Sequence, residues 1–238
     1  MSLLNREPLS IGRGRRAERD DRCFVVATDD TYAPSQYFQH LHLPRVKVLV
    51  LQTPAGSGHS SPGHVVERLA EAFKNVSQAG DIQSGDEFWV FLDADHHFEG
   101  SHVKGTSEAL RKARQKGFEV AVSKPCFELW LLLHHMDVAA TAEFPDCAAV
   151  ERKLREILGE YNKSAIKPGQ FPLTRLGEAI RRARALEKSP DDPDGRWPQN
   201  PGSRVYRLLE RILPGHAYYP DSGIDDNKWR KILSVGKA

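Results

Sequence analysis

Apolar and polar positions alternate in blocks along the first half of the chain. Four apolar runs, rich in β-branched or aromatic residues, predict buried strands: CFVVAT from residue 23, RVKVLVLQT from 45, DEFWVFLDAD over 86–95 and FEVAVS from 118. The segments between them have helical spacing and predict helices that begin near Pro34, Pro62 and Ser107. Such alternation predicts a mostly parallel sheet with helices on both faces, joined by right-handed crossovers.

The chain becomes helical after the fourth predicted strand. The run PCFELWLLLHHM over 125–136 is apolar all round, which predicts a buried helix with Glu128 in its first turn. Further helices are predicted over 146–160, 174–187 and 203–213. We therefore expect four segments: a flexible basic arm over 1–21, an α/β domain over 22–140, a helical C-terminal lobe over 141–214 and a tail over 215–238.

Acidic residues follow two of the predicted strands. Asp29 and Asp30 end the first strand, and Asp93 and Asp95 end the third, where alternate side chains of an extended backbone share a face. The carboxyl ends of parallel strands meet at one edge of a sheet, where ligands bind. Carboxylate oxygens suit Mg²⁺ or Mn²⁺, so this edge is a candidate metal site. The alternative is a set of solvated acids at ordinary strand exits.

Three chemistries use two acids in this spacing. The first is metal-assisted phosphodiester cleavage, in which Asp29 or Asp30 supplies a third acid and Lys124 stabilises phosphate charge. The second is sugar transfer, in which the acids hold a nucleotide-sugar diphosphate through Mn²⁺. The third is phosphoryl transfer through an aspartyl nucleophile, which His96 and His97, directly after Asp95, fit poorly.

The composition of the chain excludes few classes of function. With 34 basic and 32 acidic residues, the net charge of +2 does not by itself indicate a polyanionic partner. Cys23, Cys126 and Cys147 lie far apart in the sequence, so neither a zinc knuckle nor a disulfide framework is predicted, and Cys126 reads as a small buried residue. The chain lacks an apolar run of 18 residues and a signal-peptide pattern, which predicts a cytoplasmic protein without a membrane segment.

One run of residues carries a family resemblance. SKPCFELWLLLHH over 123–135 is similar to the run S-N-P-C-F-E-x-W-x-x-x-H of the RloB-like family, with Lys124 in place of the usual Asn. Tyr161 and Lys163 match the later Tyr-x-Lys pair of that family, and NPGS over 200–203 resembles its closing segment. Together with FLDAD, the resemblance extends over about residues 22–214.

The resemblance implies a TOPRIM-like fold and a Mg²⁺-dependent nuclease of anti-phage, abortive-infection loci. DNA or RNA would be the substrate, and an ABC-type ATPase from the same locus and a second copy of the chain would be the partners. In such a site the acids after the third strand, Asp93 and Asp95, hold the metal, with Asp29 as acid/base group or third ligand. Glu128 would be a further catalytic acid, and Ser123, Lys124 and Lys163 would contact the substrate.

The turn after the first strand departs from the family pattern. The family usually has Cys-Glu-Gly there, whereas Asp29 falls at the Glu position and Asp30 at the Gly position. The Asp side chain is shorter by about 1 Å, enough to matter in a positioned site. The second interpretation is therefore a catalytically weakened module that binds nucleic acid or a partner, and the third is the metal-dependent nucleotide-sugar transferase.

Overall fold

The fold rests on a five-stranded sheet in the order β2-β1-β3-β4-β5, in which only β5 runs antiparallel to its neighbour. The computed structural model describes residues 22–41, 43, 45–94, 98, 100–139, 144–187, 197–198 and 200–213. The strands are β1 (Arg22–Thr28), β2 (Val46–Leu51), β3 (Glu87–Asp93), β4 (Glu119–Lys124) and β5 (Gly202–Ser203). The predicted α/β class with a small, mostly parallel sheet is confirmed.

Seven helices accompany the sheet in the described part of the chain. They are α1 (Ala33–His40), α2 (Pro62–Gln78), α3 (His102–Gln115), α4 (Glu128–Leu133), α5 (Cys147–Leu158), α6 (Leu176–Glu187) and α7 (Val205–Ile212). A short 3₁₀ turn over Leu173–Arg175 precedes α6. No helix among the described residues combines the length and the apolar character that crossing a membrane requires.

The sheet is covered on both faces, which explains its almost continuous apolar strands. On one face Phe24, Val26 and Phe91 pack with α1 and with the helices α4 to α7. On the other face Val25 and Val90 pack with α2 and α3. Alternate residues of each central strand thus enter different cores, and the strands exit together at the carboxyl edge.

The helix predicted over 125–136 is shorter than expected. α4 covers Glu128–Leu133, all six residues are buried, and three-residue turns flank it on both sides. It shares one core with α5, α6 and α7. The division of the chain at residue 140 stays a prediction, and the predicted arm and tail lie outside the described residues.

The strand β5 was not predicted. Its two residues fall where the last helix was expected to begin, and α7 instead starts at Val205. Ser203 pairs with Ser123 of β4, their hydroxyl oxygens lie 2.7 Å apart, and the Arg204 N–H donates to the carbonyl of Val122. A two-residue strand is too short to leave a periodic signal in the sequence.

A buried histidine makes the fold sensitive to acid. His134 is 1% exposed, and its Nε2 lies 3.1 Å from the hydroxyl of Tyr37. Burial, aided by the charges of His135 and Arg175, lowers the pKa of His134 to about 3. The unfolded chain takes up a proton below its ordinary pKa of about 6.5, whereas the folded chain does not until far lower pH, so stability falls as the pH drops below about 6.5.

We expect His134→Phe to remove that part of the pH dependence. Between pH 7 and pH 5 this one histidine should cost the wild type about 2 kcal/mol in free energy of unfolding. Urea unfolding measures the free energy of unfolding of both proteins at pH 7 and pH 5. The change between the two pH values is then compared between the proteins, so that the carboxyl groups, which both contain, contribute equally and cancel. His64→Gln, at an exposed position of α2, should keep the wild-type dependence. An unchanged dependence in His134→Phe would contradict the assignment.

Candidate metal centre

Two acidic residues are held next to each other by backbone hydrogen bonds at the carboxyl edge of the sheet. Asp93 is the last residue of β3, and Asp29 follows β1, which pairs directly with β3. The Asp93 N–H donates to Oδ2 of Asp29 at 2.9 Å, and the Phe127 N–H donates to Oδ1 of Asp93 at 2.9 Å. The predicted convergence of these two acids is therefore present in the structure, and backbone hydrogen bonds hold it in place.

The second acid of the turn, Asp30, shapes the entry to α1. Its Oδ1 accepts hydrogen bonds from the backbone N–H groups of Tyr32 and Ala33. These donors belong to the first turn of a helix, where a carboxylate is favoured. Asp30 thus has a local structural role, while the neighbouring Asp29 faces Asp93.

Arg68 of α2 forms hydrogen bonds at the same edge of the sheet. It was not among the site residues predicted from the sequence. Its Nη2 donates to the carbonyl of Thr28 at 2.8 Å and to the hydroxyl of Thr53 at 2.7 Å. Partial burial lowers the pKa of Arg68, and the nearby charge of Asp29 opposes that shift. In the sequence Arg68 looks like one more polar position of an amphipathic helix, so no local signal distinguishes it.

The acids line a cavity of about 240 Å³. Its lining residues are Asp29, Asp30, Thr31, Tyr32, Ser60, Asp93 and Lys163. Lys163 comes from the loop after α5, where its Nζ lies 3.9 Å from Oε1 of Glu151, and its side chain is half exposed. Ser60 belongs to the loop GSGHSS over 56–61, between β2 and α2. The cavity is therefore acidic at its base and has a cation at its rim.

The acids repel one another, and burial strengthens the effect. Burial raises the pKa of Asp93 well above its usual range, and the charges of Asp29 and Glu128 raise it further. Burial and the charge of Asp30 likewise raise the pKa of Glu128 to about 7. A bound cation relieves such repulsion, which is the usual reason for several acids to share one site.

Glu128 lies behind Asp93 together with two cysteines. One ligand atom each of Asp93, Cys126, Glu128 and Cys147 lies within 4.8 Å of the other three. Cys126 and Cys147 form a disulfide with Cα atoms 5.8 Å apart, whereas the sequence predicted no disulfide framework. The sequence could not show this pairing because the two cysteines, 21 residues apart, meet only in the folded chain.

Three further residues, Ser123, Lys124 and Asp95, were also predicted to belong to the site. The Ser123 hydroxyl contacts that of Ser203 in the sheet, and Lys124 is not among the residues that line the cavity. Asp95 lies outside the described residues. The structure thus brings together Asp29, Asp93, Glu128 and Lys163, and the substrate contacts assigned to Ser123 and Lys124 stay predictions.

The donor set fits a hard divalent cation. Asp29 and Asp93 supply carboxylate oxygens at one end of a cavity that is open to solvent, which suits Mg²⁺ or Mn²⁺ with several retained waters. The two residues that would hold the ion are also bonded to each other, so their relative position is set before any ion binds.

The comparison with models of protein families gives a match. A family model described as RloB-like protein matches residues 24–212. No curated protein and no solved structure matches the chain.

Proposed function

The chain belongs to the RloB-like family, and from that premise we propose that it is a Mg²⁺- or Mn²⁺-dependent nuclease. The observation that carries the proposal is the hydrogen-bonded pair of Asp29 and Asp93 at the base of an open cavity with Lys163 at its rim. Acids that hold a cation beside a group that attracts phosphate are the parts that phosphodiester cleavage requires.

Each residue has a definite task in this proposal. Asp93 would hold the ion together with Asp95, as the sequence predicts, and Asp29 would be the acid/base group or the third ligand. When bound, the ion polarises a phosphate oxygen and stabilises the leaving oxygen. Lys163 attracts the phosphate at the rim, and Glu128, which has a ligand atom within 4.8 Å of one of Asp93, is the further acid of the site. Arg68 keeps the end of β1 in place, and so fixes the Asp29 carboxylate.

Metal removal tests the proposal directly. We expect the protein to cleave DNA or RNA, including tRNA, with Mg²⁺ or Mn²⁺, and to lose all cleavage when EDTA is added. Re-addition of Mn²⁺ should restore the rate. Gel analysis of end-labelled substrates measures the products. Intact substrates under every condition, with a neighbouring ATPase also supplied, would contradict nuclease activity.

The biological setting is a proposal of its own. The family resemblance supports a role in anti-phage defence beside an ABC-type ATPase partner. Cells that carry the locus should form fewer phage plaques than cells without it, and Asp93→Asn should remove the difference. Equal plaque counts in both strains over a broad phage panel would argue against this role.

A second candidate function, nucleic-acid binding without cleavage, is favoured by a separate groove. The groove has a volume of about 690 Å³, and the exposed residues Lys104, Arg111 and Arg114 of α3 line it beside Trp197. The ring of Trp197 packs edge-on against Phe98 at 5.1 Å. Cations beside an aromatic ring suit a phosphate backbone with a stacked base.

The groove makes a testable prediction for either candidate. Arg111→Glu should weaken nucleic-acid binding about tenfold and reduce the slope of affinity against salt by about 1. Lys112→Glu, the next residue of α3, does not line the groove and is the matched control. Fluorescence anisotropy at several salt concentrations measures both. Equal effects of the two substitutions would place the nucleic acid elsewhere.

A further inference from the structure

Behind Asp93 lies a cluster that the nuclease proposal leaves unexplained. Cys126 precedes α4, Glu128 begins α4 and Cys147 begins α5, so three different points of the chain meet at the end of β3. One ligand atom of each, and one of Asp93, lies within 4.8 Å of the others. Cys126 is fully buried and Glu128 is 1% exposed.

The buried carboxylate of Glu128 is energetically unfavourable at this position. It is surrounded by the buried apolar residues of α4, and its described hydrogen bond from a side chain is a long one, 3.4 Å from the Tyr161 hydroxyl. Burial of a carboxylate with so weak a described side-chain partner is unfavourable. A cation bound beside it would remove that cost.

The two sulfurs determine which cation fits. Cys147 is the first residue of α5, a helix of 12 residues capped by Asp146, and a helix N-terminus stabilises a thiolate. Mg²⁺ and Ca²⁺ take oxygen ligands, whereas Zn²⁺ takes thiolate and carboxylate together in a tetrahedral site. Two sulfurs and two carboxylate oxygens make up four ligands, the number of a closed structural zinc site.

We propose that the reduced protein binds Zn²⁺ through Cys126, Cys147, Glu128 and Asp93. Each thiol releases its proton as its sulfur binds the ion, any proton on the Glu128 or Asp93 carboxyl group leaves as well, and no electrons are transferred. The disulfide form lacks both thiolates and does not bind. Asp93 has two carboxylate oxygens, so it can contribute to this site and to the open cavity. The bound ion would join β3, α4 and α5 at the edge where the acids lie.

Cobalt gives the clearest readout, because Co²⁺ bound by thiolates shows a charge-transfer band. The full chain is reduced with a phosphine, freed of metal and titrated with Co²⁺, and Zn²⁺ then displaces it. We expect one ion per chain with a thiolate charge-transfer band. Cys147→Ser, at a partly exposed position, should lower Zn²⁺ affinity at least about 100-fold. Cys23→Ser, in β1 and outside the cluster, should bind like the wild type.

Two further variants keep the proposal separate from the nuclease. Glu128→Gln should weaken Zn²⁺ binding but keep the charge-transfer band, because both sulfurs remain. Asp29→Asn lies outside the cluster, so it should keep the band even if cleavage is lost. Absence of the band in wild-type protein whose thiols all react with Ellman's reagent, or full binding by Cys147→Ser, overturns the zinc site whatever the cleavage assay shows.

Discussion

Asp93→Asn should lower the rate of metal-dependent cleavage by roughly 10³-fold, equivalent to about 4 kcal/mol in activation free energy. The substitution removes the charge that holds the ion, yet it keeps an oxygen that can accept the hydrogen bond from the Phe127 N–H. It also removes a repulsion between neighbouring acids, of which Asp29 and Asp93 are only partly buried, so the melting temperature should not fall. Single-turnover cleavage measures the rate, and thermal unfolding checks the fold.

Two matched variants make that result specific. Asp29→Asn should also lower the cleavage rate, and because it lies outside the cysteine cluster its loss cannot come from zinc. Glu87→Gln removes a carboxylate from the opposite end of the same strand, where Glu87 pairs with Arg22 at 3.6 Å, and should leave the rate unchanged. Full activity in Asp93→Asn would show that the assigned acids are not the site.

Glu187→Ala should destabilise the fold by roughly 3–5 kcal/mol, the usual result when a buried ion pair loses one member. Glu187 ends α6, and its Oε1 lies 2.5 Å from Nε of Arg204, which is 3% exposed. The same carboxylate also binds Arg207 at 3.0 Å and accepts a hydrogen bond from the Tyr206 hydroxyl. Without it, the guanidinium of Arg204 loses its described ion-pair partner inside the protein.

A more exposed ion pair between α6 and α7 provides the control. Glu210 of α7 contacts Arg184 of α6 at 2.5 Å, but both side chains are partly exposed to solvent. Glu210→Ala should therefore change the free energy of unfolding by less than about 1 kcal/mol. Urea unfolding of both variants at pH 7 measures the contrast. If Glu187→Ala cost no more than Glu210→Ala, the buried pair would not hold α6 against the segment after β5.

The alternation of strands and helices was predictable because the central strands β1 and β3 are buried on both faces and α2 and α3 each have one apolar side. The parallel topology then placed Asp29 and Asp93 together without any knowledge of their contacts, since neighbouring parallel strands end at one edge. Glu128 was noticed for a local reason as well: an acid among large apolar residues is unusual in a buried helix.

The parts that the sequence did not reveal depend on contacts between distant residues. β5 forms only because Ser203 meets Ser123, 80 residues earlier, and Cys126 meets Cys147 only because α4 packs against α5. Arg68 braces the Asp29 turn through the carbonyl of Thr28, a partner that no sequence pattern encodes. Such features arise from the packing of elements, whereas hydrophobic periodicity reports only on the elements themselves.

The position of β5 also has a consequence for synthesis of the protein. The first four strands leave the ribosome early, but the sheet lacks its fifth strand until residues 202–203 have been translated. Until then the edge of β4 has open backbone groups, and the core surface that α7 covers faces solvent. Between the synthesis of Lys124 and that of Gly202, the nascent chain therefore carries an incomplete sheet with exposed apolar surface, an interval in which chaperones that shield apolar surface would act on it.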